Sequence, residues 1–156
     1  MKSKKYFLLV LAILMLGTML PLHQAKAQDN NLITVTAKGS FDATVAMLKK
    51  MVAKKGMMIL GEVNQGKILS MTGLKLKATS LFVGNPTIGK KLFSANPGIG
   101  VAVPIRVSVF EDKSGTVHVS YVKPSKQFAP FQNKQIAMVG QKMDKSLAML
   151  TGMLAK

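Results

Sequence analysis

The chain has 156 residues, with 22 lysines and arginines against six aspartates and glutamates, a formal net charge of +16, and no cysteine. Without cysteine it can form no disulfide and carry no lipid on a thiol, and a cysteine nucleophile is excluded. Beyond residue 27 all 18 basic side chains but Arg106 are lysine, so bidentate base contacts are nearly excluded. The charge suits an anionic small molecule or surface, and no nucleic-acid partner is expected.

The first residues have the three parts of a secretory signal: Lys2, Lys4 and Lys5, an apolar run from Tyr6 to Leu20, and a small-x-small site at Ala25-Lys26-Ala27. The run is short for a membrane span and carries Gly17 and Thr18. Cleavage is expected after Ala27, so that residues 1–27 are a signal peptide. Residues 28–156 would then be one exported domain, periplasmic or extracellular, with no transmembrane segment left after cleavage.

"NLITVTAKG" (31–39) reads as the first strand. Ser40 can cap a helix whose apolar positions Phe41, Val45, Leu48 and Val52 fall on one face, with Asp42 in its first turn, lysines crowding its end and Gly56 as the stop. "MMILGEV" (57–63) and "TSLFV" (79–83) read as the second and third strands, with an unassigned stretch between them. In "IRVSVFEDKSGTVHVSYV" (105–122), Asp112 opening a type I turn and Gly115 in the left-handed position predict a three-residue hairpin loop with a bulge. That register sets Val109 opposite Val119 and Val107 opposite Tyr121, and puts Arg106, Ser108, Phe110, His118 and Ser120 on a mostly polar second face. A last helix over about 134–154 has Ile136, Val139, Met143, Leu147, Leu150 and Leu154 as its core face. Met138, Met149 and Met153 fall on its other side, a surface through which a homodimer could form.

"GNPTIGKK" (84–91) imitates a phosphate loop but lacks its chemistry. Pro86 removes a backbone donor from the cradle, and Lys91 stands where a magnesium-binding hydroxyl belongs. A parallel nucleotide-binding fold also needs more crossover helices than this chain can hold.

The helix and strand "TVAMLKKMVAKKGMMILGEVNQ", then the Gly84-Asn85-Pro86 turn, a short helix and Pro104 opening the hairpin strand, resemble the family known as domain of unknown function 302, over about residues 39–125. The resemblance implies a two-layer α+β fold in the order strand, helix, four strands, helix, with one antiparallel sheet and the helices on one face; the segments read above follow the same order. Members commonly carry an Asp-His pair after the second strand, where this chain has Asn64 and Gln65, neither able to act as a general acid or base near neutral pH. The family brings no established reaction with it.

The leading expectation is therefore a binding or interaction module. Its candidate site for an anion combines Gly84 and Asn85 of the turn, Lys90 and Lys91 where a short helix should begin, and Arg106 and His118 on the polar sheet face. No cofactor is expected. One alternative is a small enzyme using His118 with Ser108 or Ser120, for which the sequence sets no carboxylate beside the histidine. The other is Cu(I) binding by thioethers, at Met47/Met51 or Met149/Met153.

Overall fold

The computed structural model describes residues 31–155, and the expected signal peptide lies outside them. Five segments rich in β-branched and aromatic residues pair into one antiparallel sheet: β1 (Leu32–Thr36), β2 (Met58–Val63), β3 (Ala78–Gly84), β4 (Ile105–Glu111) and β5 (Val117–Val122), in the order β1-β5-β4-β3-β2. The helices are α1 (Phe41–Lys54), α2 (Gln65–Ser70), α3 (Pro86–Ala95), α4 (Pro124–Phe128) and α5 (Lys134–Gly152). The fold is α+β, as expected. α2 and α4 add to the anticipated order, and short 3-10 turns follow α3 and α4.

The ends of these elements follow local chemistry. Gly56, just past α1, has φ +67°, the left-handed conformation that stops a helix. Asparagine opens three of the helices. Asn64, Asn85 and Asn133 each accept a backbone N–H of the first turn, at 2.8 Å from Lys67, 3.0 Å from Ile88 and 2.9 Å from Gln135, and each such cap stabilises by about 1 kcal/mol. The hairpin forms in the predicted register, with Val109 opposite Val119, Val107 opposite Tyr121, and Gly115 at φ +80°.

Alternation along the strands gives the sheet two unlike faces. One carries Leu81, Val83, Ile105, Val107, Val109 and Val119, all buried under Leu48 and Val52 of α1 and Ile136, Leu147 and Leu150 of α5. Burying each such side chain is worth about 1.5–3 kcal/mol. Most apolar positions read from the sequence fall in this core; Phe41, Val45, Val139 and Met143 are only partly buried, and Met51, Leu92, Ile99 and Phe128 join it.

On the other face the register aligns four hydroxyls straight across the sheet, Thr34, Ser120, Ser108 and Ser80. Thr34 Oγ1 and Ser120 Oγ are 2.7 Å apart, and Gln65 Nε2 donates to Ser80 Oγ at 2.6 Å. The flanking positions include Leu32, Val122, Phe82, Phe110 and Met58, so this face is more apolar than the hairpin alone suggested.

Candidate functional site

The Gly84-Asn85-Pro86 turn joins β3 to α3 and is tightly tied. A Cβ on Gly84 would lie 2.6 Å from Leu60 Cδ1, so the glycine leaves room for Leu60, displaced by a bulge in β2, to fold across the strand end, and a side chain at 84 would turn the half-exposed Leu60 aside. Asn85 uses both halves of its amide: Oδ1 caps α3, and Nδ2 donates to the Gly56 carbonyl at 2.7 Å. Pro86, in the first turn, offers no N–H. The helix end is thus already occupied by the chain's own cap.

Beside the turn lies a cavity of about 160 Å³, lined by Leu60, Val83, Pro86, Leu92, Phe93 and Met143 among others. Every lining residue except Asn85 has an apolar side chain or none. An apolar cavity of this size accepts a group about as large as a benzene ring. Leu60 and Phe93 at its edge are about half exposed.

Lys90 and Lys91, both exposed, belong to the body of α3 and not to its N-terminus. On a helix of 3.6 residues per turn, Lys90 stands beside Pro86 and Phe93, the exposed edge of the lining, whereas Lys91 flanks Ile88 and Ala95. Arg106, also exposed, is two residues on from the cavity-lining Pro104 and is the register partner of Phe82. Gly84 and Asn85 therefore line the cavity itself, while Lys90 and Arg106 stand outside its lining, Lys90 a helical turn from Pro86 and Phe93 and Arg106 two residues on from Pro104.

His118 does not join them. It pairs with Phe110, four residues along β4 from Arg106, roughly 13 Å away at about 3.3 Å per residue. Nor does it lack a carboxylate, which corrects the sequence reading. His118 Nε2 lies 2.7 Å from Asp112 Oδ2, and the ring stacks on Phe110 with centroids 5.1 Å apart. Because an ionised carboxylate only accepts, Nε2 carries the proton of that bond. Asp112 also accepts from the Ser114 hydroxyl at 2.6 Å and from the Ser114 and Thr116 N–H groups. The Ser114 hydroxyl, then His118, then Thr116 hold its carboxyl well below the usual carboxylate range. Neither Ser108 nor Ser120 is hydrogen-bonded to His118 among the described residues, and Ser120 is engaged by Thr34. The pair clamps the hairpin loop.

The methionine pairs have unequal surroundings. Met51 is in the core while Met47 is exposed. Met149 and Met153 are both exposed, with Lys55 Nζ 3.3 Å from the Met149 sulfur. Among the described residues no three His, Cys, Asp or Glu side chains gather in a way that could hold a metal ion. Asn64 and Gln65 are spent on structure, one capping α2 and the other bound to Ser80.

Residues 33–155 match the model of a family described as "Domain of unknown function DUF302". The chain belongs to this family. A solved structure titled as an uncharacterized conserved DUF302 protein from Bacillus stearothermophilus has a TM-score of 0.71, covering 76% of this chain and 94% of that one at 20% identity, and so shares the fold. Proteins named "Fluoride-specific ion channel FluC 1" from Brucella suis and Brucella abortus are 32% identical over 98 residues, 62% of this chain. That segment is only 39% and 36% of their lengths, so the chain spans less than two fifths of these relatives. No helix among the described residues is long and apolar enough to cross a membrane.

Proposed function

We propose that this DUF302 domain is a binding module for a small amphiphilic anion, one with an aromatic or branched apolar end and an anionic head. The observation that carries the reading is an apolar cavity whose lining residues Pro86, Phe93 and Pro104 have the exposed cations Lys90 and Arg106 as near neighbours along their own elements. The apolar end would enter the 160 Å³ cavity beside Gly84 and Leu92, and the head would lie toward Lys90 and Arg106. Lys91 and His118 have no part in it. The likeness to the fluoride channels adds little about substrate, since conduction is named for the whole of proteins of which this segment is a minor share. We read the shared segment as an accessory domain. Export, with Gln28 as the first residue after cleavage, belongs to the same proposal, and N-terminal sequencing of the secreted protein tests it.

Gly89 makes the binding test clean. It lines the cavity, yet a Cβ there would meet nothing within 4 Å, so Gly89→Leu fills the space without a clash at its root. Melting temperatures are compared with benzoate, benzyl alcohol and inorganic phosphate. The reading expects benzoate to stabilise most, phosphate not at all, and Gly89→Leu to abolish the benzoate effect while Lys90→Gln/Arg106→Gln reduces it to that of benzyl alcohol. Equal stabilisation of wild type and Gly89→Leu contradicts it.

A further inference from the structure

We propose that the loop of residues 65–77, around α2, docks the protein on an anionic lipid surface. This surface lies at the opposite end of β3 from the cavity and does not depend on the reading given to that cavity.

Three large apolar side chains stand in water on this short loop, Ile68 at 52%, Met71 at 86% and Leu74 at 50% exposure. They are not loose. Asn64 Oδ1 caps the loop at the Lys67 N–H, the Ser70 hydroxyl donates to the Lys67 carbonyl at 2.6 Å, and the Thr72 hydroxyl donates to the Leu69 carbonyl at 2.7 Å. At the base Gly66 is buried so closely that a Cβ would come 2.5 Å from the Leu76 carbonyl oxygen. The chain is folded back on itself and pinned, with its apolar residues held outward. An ordered apolar projection of this kind marks an interaction surface.

Charge decides the partner. The segment contains Lys67, Lys75 and Lys77 and no acidic residue. Lys113 of the neighbouring hairpin lines the same groove as Lys75 and Lys77. The two acids nearby are already engaged, Glu111 with Lys77 at 3.0 Å and Asp112 with His118 at 2.7 Å. No ion pair holds Lys67, Lys75 or Lys113 among the described residues. Apolar side chains ringed by unpaired lysines match a bilayer interface, where the apolar groups enter below the headgroups and the cations meet lipid phosphates. A second copy of the chain would set the same lysines against each other, which disfavours self-association through this loop.

The absence of cysteine permits a local readout. Met71→Cys and, on the outer side of α5, Gln141→Cys are each labelled with an environment-sensitive nitrobenzoxadiazole dye in the full-length protein. Both are mixed with vesicles of phosphatidylglycerol and phosphatidylcholine, or of phosphatidylcholine alone. Docking by the loop gives a blue shift and at least about a twofold rise in emission at position 71 with the anionic vesicles, with little change on neutral vesicles and none at 141. Adding Lys67→Gln, Lys75→Gln and Lys113→Gln to the Met71→Cys protein weakens the response at least about tenfold, since each lysine contributes to attraction by an anionic leaflet. Any insertion by residues outside the loop affects both labelled proteins alike. A dye at 71 that stays in water, responds equally to neutral vesicles, or is matched at 141 overturns the proposal. So does a shift at 71 that grows with protein concentration in the absence of lipid, which would assign the loop to self-association.

Discussion

The two faces of the sheet are written with the same alternation and reach stability by different means. The face toward α1 and α5 is sealed by buried Leu, Val and Ile, and its strength is area removed from water. The opposite face carries a row of four hydroxyls, of which Thr34 and Ser120 bond each other, Ser80 accepts from the Gln65 amide and Ser108 stands between them, with apolar side chains flanking the row. Packing governs the first face, where side chains can be exchanged only at a cost in volume. Hydrogen-bond satisfaction governs the second, where cost depends on whether a partner is left unpaired.

The largest effect is therefore expected on the covered face. Leu81 is fully buried, and Leu81→Ala should lower unfolding free energy in urea by about 2–5 kcal/mol. A loss below about 1 kcal/mol would mean that the face is not the close-packed core described. On the other face Gln65→Leu should cost about 1–2 kcal/mol, because it strands the buried Ser80 hydroxyl. Adding Ser80→Ala should then restore part of the loss; a double variant with simply additive losses breaks the pairing argument.

A third test reads a slope. Asp112 is held below the ordinary carboxylate range by its hydrogen bonds, so its contribution is fully present above about pH 4–5 and is lost as pH falls toward its depressed folded value. Asp112→Asn should flatten the loss of stability between about pH 5 and pH 2, and an unchanged slope would contradict the clamp. The smallest effect belongs to Ser108, which has no hydrogen-bond partner among the described residues although it lies between the two bonded pairs. Ser108→Ala should change stability by less than about 0.5 kcal/mol.

Much of the covered face was legible because periodicity and burial are the same information there. The steps along α5 and the alternation of the hairpin both point to one apolar side. The hairpin also held the clue to its clamp. Asp112 continues the series Arg106, Ser108, Phe110 on one side of β4, and His118 is opposite Phe110, so strand parity already brought acid and imidazole to one face. Assigning Asp112 wholly to the turn concealed this. α2 and α4, of six and five residues, are too short for a helical period to show. The asparagine preceding α2 was the available signal. The cavity had none, because Leu60, Phe93 and Met143 come from three elements whose meeting depends on a bulge and a helix crossing.

The proposed function is tested most directly by the methyl resonances of [methyl-13C]methionine protein during titration with benzoate. Met143 alone among the described methionines lines the cavity, and the ring current of a bound benzene ring would act on its methyl group first. The account predicts a saturable shift of Met143, absent in Gly89→Leu, with Met71 and Met138 unmoved. A Met143 signal that stays in place at saturating benzoate, or shifts equally in Gly89→Leu, would contradict it.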